Sequence, residues 1–205
     1  MIAVLDLDGT LIDSSFRHHE LMDKLLKGHV EAFDRADFMT YKNDGHKGLS
    51  YLVDILGLSN ETASGILASW VEHIEDADYV KLDTLYLDTL PFLDKLASKG
   101  IRIVFLTARK DEGAVLSQLK ALGIYDRAAA IKVVSPKDAK RQKLDYCREL
   151  MESDELIVIG DTENEKYIID NLGVKGYLLN RGFRSRIYWD AINQKSYDSL
   201  MDIDV

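Results

Sequence analysis

Five short apolar runs punctuate this chain, at residues 2–5, 101–106, 130–134, 156–159 and 176–179. Runs this short and nearly continuous suit strands buried on both faces, as in a parallel sheet. Between the later runs the apolar spacing changes to that of helices. Residues 91–98 put Phe92, Leu93 and Leu96 on one face before Gly100. Residues 112–122 carry Val115, Leu116, Leu119 and Leu122 before Gly123, and residues 140–151 carry Leu144, Cys147, Leu150 and Met151. Residues 163–172 carry Tyr167, Ile168 and Leu172, closed by Gly173. Strand and helix in alternation predict an α/β fold, a doubly wound parallel sheet.

One stretch breaks the alternation. From Ser14 to Asp83 no strand-like run occurs, and three helical faces appear instead. Leu21, Met22, Leu25 and Leu26 form the first, ended by Gly28. Leu49, Leu52, Val53 and Leu56 form the second, ended by Gly57. Ile66, Leu67, Trp70, Val71 and Ile74 form the third. Such a block is too long for an ordinary crossover. It predicts an inserted helical subdomain over 14–83, with a Rossmann-like core made of 1–13 and 84–205.

The 26 basic residues are outnumbered by 35 acidic ones, a net charge of −9. That argues against nonspecific nucleic-acid binding and against adhesion to anionic membranes. A small anionic substrate stays compatible, because a local site can be positive within an acidic whole. The one cysteine, Cys147, excludes an internal disulfide and falls on an apolar helix face, so it is expected in the core. No basic segment followed by an apolar run opens the sequence, and no apolar run approaches the ~18 residues of a membrane span. These features predict a cytoplasmic protein, monomeric or homodimeric.

The chemistry sits at strand ends. Asp6-Leu7-Asp8-Gly9-Thr10 follows the first run directly. Two carboxylates two residues apart point to one side of an extended chain, where open α/β sheets place their sites. A turn explains Asp8-Gly9 but leaves Asp6 a partly buried charge without a partner. An EF-hand fails, because Gly9 is two positions early and Arg17 stands where its closing Glu belongs. Gly160-Asp161-Thr162-Glu163-Asn164-Glu165 follows the fourth run. Its acids could cap a helix. Beside Asp6 and Asp8, however, several carboxylates facing one point call for a cation, and hard oxygen ligands suit Mg²⁺. Thr107-Ala108-Arg109 follows the second run, where Thr either caps a helix or, at a phosphate site, would bind a phosphoryl oxygen with its hydroxyl and the next backbone N–H. Lys137, Lys140 and Lys143 follow the third, and one pointing inward would balance the acids.

This ordered set of Asp-x-Asp, Thr, Lys and Asp resembles the haloacid dehalogenase-like superfamily, and the likeness spans the whole chain. The helical insert resembles the cap of its phosphoglycolate phosphatase-like branch. Glu165 stands where many members carry Asp. The resemblance implies a Mg²⁺-dependent phosphatase acting on a small phosphorylated metabolite. Asp6 would be the nucleophile and Asp8 the general acid and base, with Thr107 and Lys140 stabilising the transferred phosphoryl group. Lys137 is the other lysine that resembles a family pattern. The implied metal set is Asp6, Asp8 (through its backbone carbonyl), Asp161 and Glu165. Gly9, Thr10, Ala108, Arg109 and Lys42 are expected to bind substrate, Lys42 from the polar segment 41–48, read as a cap loop. A sugar-phosphate mutase and a non-enzymatic binding protein on the same fold are the alternatives. The five histidines form no metal spacing and are expected mostly at the surface. Residues 180–185, basic and glycine-bearing, are expected either to turn the chain into its last helix or to add positive charge near the substrate.

Overall fold

A computed structural model describes all 205 residues. Six parallel strands form the central sheet. These are β1 (Ile2–Leu5), β4 (Arg102–Ala108), β5 (Ala130–Val134), β6 (Leu156–Gly160), β7 (Lys175–Leu179) and β8 (Ser196–Tyr197), in the order β5-β4-β1-β6-β7-β8. β1 lies between β4 and β6, with Ala3 beside both Ile103 and Ile157. The chain winds outward from β1 through β4 to β5, then returns to β6 on the other side. The switch point therefore falls at β1, the position where such sheets bind ligands.

Alternation along the buried strands explains the two layers. Ala3, Leu5, Ile103, Phe105, Ile157 and Ile159 pack on one side with Phe92, Leu93 and Leu96 of α6 (Thr89–Ser98) and Val115 and Leu119 of α7 (Glu112–Ala121). Ile2, Val4, Val104, Leu106 and Val158 pack on the other with Leu144 and Cys147 of α8 (Ala139–Met151) and Ile168 of α9 (Glu163–Leu172). Cys147 is wholly buried, as its helix face predicts, and burial pushes its thiol up to about 12.

Between the antiparallel partners β2 (Ile12–Asp13) and β3 (Thr84–Leu85) the chain forms a helical block. It contains α1 (Ser15–Leu26), α2 (Arg35–Asn43), α3 (Gly48–Ser50), α4 (Asn60–His73) and α5 (Ala77–Val80), with a π-helical turn at Tyr51–Ile55. The block has its own core of Met22, Leu26, Phe38, Tyr51, Leu52 and Ile66. α2 was not expected: it buries only Phe38 and Met39, too few positions to show a helical stripe. Its last residues, Tyr41 to Asn43, belong to the segment 41–48 expected as a loop. β2, β3 and β8 also escape the sequence pattern, since two residues carry no period. No helix is long and apolar enough to cross a membrane.

Lys110 and Ser185 help tie the block to the sheet. Lys110, just beyond β4, donates its backbone N–H to Glu75 at 2.8 Å and its Nζ to the Glu72 carbonyl at 3.0 Å. Ser185, before α10 (Arg186–Ala191), donates its N–H to the Asn43 carbonyl at 2.9 Å and its hydroxyl to Asp44.

Candidate active site

Asp6 prolongs the pairing of β1 by one residue, its N–H reaching the Ile159 carbonyl at 3.0 Å. The backbone then turns back, with Leu11 N–H on the Leu7 carbonyl and Gly9 N–H on the Ile12 carbonyl, both at 2.8 Å. Gly9 has φ +75°, and a Cβ there would lie 2.2 Å from Asp161 Oδ2. A Cβ on Gly182 would lie 2.1 Å from the same oxygen. The Asp161 carboxylate is thus sandwiched between two glycines, where no larger side chain fits. Thr10 donates its hydroxyl to Asp161 Oδ1 at 3.0 Å, and Phe183 donates its N–H to Oδ2 at 2.6 Å. Gly9 and Thr10, expected to bind substrate, instead pack on Asp161, and Thr10 is wholly buried. Residues 180–185 do more than turn the chain: through Gly182 and Phe183 they wall in Asp161.

The lysine that reaches this floor is Lys143, not Lys140 or Lys137. Lys143 Nζ donates to Asp6 Oδ1 at 2.9 Å and to Glu165 Oε1 at 2.7 Å. Lys137 is exposed in the turn before α8. Lys140 is exposed in the first turn of α8, where its Nζ stands 4.1 Å from the Tyr167 ring centroid. One turn further along, Lys143 is on the side buried against the sheet, four residues before Cys147. Burial works against its charge, but Asp6 and Glu165 outweigh burial and hold the ammonium above the ordinary lysine range. Glu165 also accepts from the Thr162 hydroxyl at 2.7 Å and from the Thr162 N–H at 3.3 Å. That closes a capping box at the start of α9.

Asp8 faces a different partner set. Arg109 grips it with Nε on Oδ2 at 2.7 Å and Nη2 on Oδ1 at 2.6 Å, and Arg17 of α1 adds Nη2 on Oδ1. Burial works to raise its pKa, yet the two guanidinium groups overcome burial and hold the carboxyl well below the usual range. Asp83 lies behind the arginines, wholly buried at its side chain and anchored by Gln118 Nε2 at 2.7 Å. Burial raises Asp83 to about 6, against the pull of Arg17. Arg17 and Asp83 escaped the sequence reading because they meet only when the helical block folds back.

A cleft of about 300 Å³ joins these groups. Asp6, Asp8, Arg17, Thr107, Arg109 and Lys143 line it on the inside, and Trp70, Ile74 and Phe183 close it from the block and the 180–185 segment. Thr107 and Ala108 belong to β4 itself and face this space. Lys42 does not line it. Its ammonium stands over the rings of Trp70 and Phe38, 5.0 and 5.4 Å from their centroids, and burial brings it down to about 8.

Asp6, Asp161 and Glu165 bring three carboxylates into the buried floor against one lysine. Burial pushes Asp161 well above its ordinary range and nearby Asp6 adds to the rise; burial likewise raises Asp6. An excess of buried acid fits a cation with hard oxygen ligands. The side-chain set is narrower than the sequence suggests. Asp8 is turned to its arginines and Glu165 to Lys143 and Thr162, and no three Asp, Glu, His or Cys side chains are arranged about one point. Asp6 and Asp161 are the carboxylates that remain for a metal ion.

His18 is the exception among histidines that otherwise lie mostly at the surface. It is buried between Trp70 and Phe183, with ring centroids 5.2 and 5.1 Å away, and neither ring nitrogen has a hydrogen-bond partner. Burial, helped by Arg17, holds its pKa well below the usual value. The folded protein keeps this ring neutral while the unfolded chain protonates near pH 6.5. Stability from the neutral ring is therefore complete above that pH and falls below it, by about 1.4 kcal/mol per pH unit. Urea midpoints taken from pH 8 to pH 5 are expected to fall for the wild type relative to His18→Phe, which has no group to protonate there.

The profile of haloacid dehalogenase-like hydrolases matches residues 1–166. The chain belongs to that family. No curated protein matches it significantly. Among solved structures it is similar to a haloacid dehalogenase-like family hydrolase from Streptococcus pneumoniae, at 20% identity and TM-score 0.73, covering 98% of this chain and 95% of that one. A putative phosphatase from Clostridium difficile matches at 16% identity and TM-score 0.74, covering 98% and 96%. A putative phosphoglycolate phosphatase from Lactobacillus delbrueckii matches at 16% identity and TM-score 0.71, covering 98% and 95%. These likenesses establish the shared fold.

Proposed function

We propose that this hydrolase is a Mg²⁺-dependent phosphatase of small phosphomonoesters that works through an aspartyl-phosphate. The observation that carries the reading is the setting of Asp6. Its Oδ1 is fixed by buried Lys143, and its Oδ2 carries no hydrogen bond at the wall of the cleft. A carboxylate held at one oxygen and free at the other is oriented for in-line attack on phosphorus. Thr107 and Lys143 stand beside it to receive charge on the equatorial phosphoryl oxygens. Ala108 supplies a backbone N–H on the same wall. Asp8 is the acid that meets the leaving oxygen and later the attacking water.

Asp6 and Asp161, with the Asp8 backbone carbonyl, would hold Mg²⁺, which offsets repulsion between the nucleophile and the anionic ester. Glu165 keeps Lys143 aimed at Asp6. The helical block acts as a cap: Trp70, Ile74 and Phe183 exclude bulk water and leave room for a small ester rather than a polymer. The direct test is phosphate release from p-nitrophenyl phosphate and a panel of small phosphomonoesters, with Mg²⁺ and with excess chelator. Metal-dependent release is expected. Absence of release from every ester by folded, metal-supplied protein would overturn the reading.

A further inference from the structure

Asp8 is bound more tightly than an acid that must meet a leaving group needs to be. Three hydrogen bonds from two guanidinium groups converge on its carboxylate. Arg17 and Arg109 are themselves buried, and both line the cleft beside Asp6, Thr107 and Lys143. Their other acidic neighbour does not satisfy them. Asp83 Oδ2 lies 3.5 Å from Arg17 Nη1 and 3.8 Å from Arg109 Nη2, beyond good hydrogen bonds, and is taken by Gln118. Arg17 Nε and Nη1 and Asp83 Oδ1 have no hydrogen-bond partner. Buried guanidinium donors left unsatisfied are costly and mark a place built for another acceptor.

We propose that Arg17 and Arg109 are specificity-determining residues that bind a second anionic group of the substrate, which takes their hydrogen bonds from Asp8 and releases its carboxyl toward the ester oxygen. The proposal rests on the phosphatase reading above and adds the substrate class. A guanidinium fork binds a carboxylate or a phosphoryl group with the planar, paired geometry it now gives Asp8. Asp83 backs both arginines at ion-pair distance without a hydrogen bond to either. The second anion must also be near the first. Asp6 and Asp8 are two residues apart, and both line the one cleft of about 300 Å³. The fitting substrate is therefore a short phosphomonoester whose carboxylate or second phosphoryl group lies two or three carbons from the ester oxygen. A neutral ester leaves Asp8 in the grip of both arginines and turns over slowly.

The test compares 2-carboxyethyl phosphate and 2-phosphonoethyl phosphate with 3-hydroxypropyl phosphate, a neutral ester of similar length. Wild-type kcat/KM is expected to favour at least one anionic ester by about 100-fold, the size of two or more charge-assisted hydrogen bonds. Which anion is preferred identifies the group the forks receive. In Arg17→Met and in Arg109→Met the preference is expected to fall to about threefold, through a loss of kcat/KM on the anionic ester and a gain on the ester with the uncharged tail, where only one arginine still holds Asp8. Arg17→Lys keeps the charge without the fork and should retain part of it, so the test survives if the Met variants do not fold. Equal kcat/KM of the wild type on neutral and anionic esters would overturn the proposal, as would variants that lose both activities alike. Calorimetric binding of 3-phosphonopropionate against propylphosphonate reads the same subsite without turnover. If no ester is hydrolysed the phosphatase reading fails, yet tighter binding of phosphonopropionate still supports the anion subsite and equal affinity still refutes it.

Discussion

Asp6→Asn is expected to lower phosphate release by at least about 10³-fold while the protein stays folded. The amide keeps the size and planarity of the carboxyl group but cannot attack phosphorus. The structure gives reasons why the fold should tolerate it. Burial disfavours the charge of Asp6, and its neighbours Glu165 and Asp8 add repulsion. Removing that charge relieves the floor of one of its crowded anions. Lys143 keeps its hydrogen bond to Glu165 at 2.7 Å, so its ammonium is not left alone. The melting temperature of the variant should equal or exceed that of the wild type, while turnover with Mg²⁺ falls to background. A folded variant that still releases phosphate would remove Asp6 as the nucleophile. A variant that loses activity together with its fold would contradict the charge account of this floor.

Some of this site is legible in the sequence because its chemistry is tied to strand ends. Asp6 and Asp161 each follow an apolar run that becomes a buried strand, β1 and β6, and a parallel sheet places both ends on one edge. The five long strands show as apolar runs because the layers on both sides exclude polar residues. What escapes is what depends on contacts between distant segments. β2 and β3 pair across the whole helical block that lies between them. Arg17 and Asp83 lie at the two ends of that block and meet at Asp8 and Arg109, with nothing local to mark them. Gly182 looks like an ordinary turn glycine, and its closeness to Gly9 and Asp161 is a property of packing alone. The lysine is missed for another reason. Lys137, Lys140 and Lys143 crowd one turn and the helix start after it, and the spacing that resembles the family points to Lys140, then Lys137, rather than to Lys143. The helix phase decides it, and that phase is set by how α8 lies on the sheet.

Lys143→Met, set beside Lys140→Met, turns that difference into a measurement. The Lys143 ammonium is the one cation hydrogen-bonded to Asp6 or Glu165, and it is almost wholly buried. Methionine fills a similar volume, so the loss is electrostatic rather than a cavity. Two buried carboxylates then face each other, with Asp161 nearby and no counter-charge from the protein. Breaking a buried pair in this way costs about 3–5 kcal/mol, or roughly 10 °C in the melting temperature of a chain of this size. The deficit has a definite pH sign. Burial already raises Asp6 to about 7 against the pull of Lys143, and without that ammonium it rises further. The folded variant then recovers stability as the pH falls and Asp6 takes a proton. The deficit measured at pH 8 should therefore shrink toward pH 5. Phosphate release should fall by about 10²-fold or more, since the orienting contact on Asp6 and a charge on the phosphoryl oxygens are lost together. Lys140→Met removes only an exposed ammonium over the Tyr167 ring, and its stability should change by no more than about 0.5 kcal/mol. Equal effects of the two substitutions would show that α8 presents a different face to the sheet, and would take Lys143 out of the site.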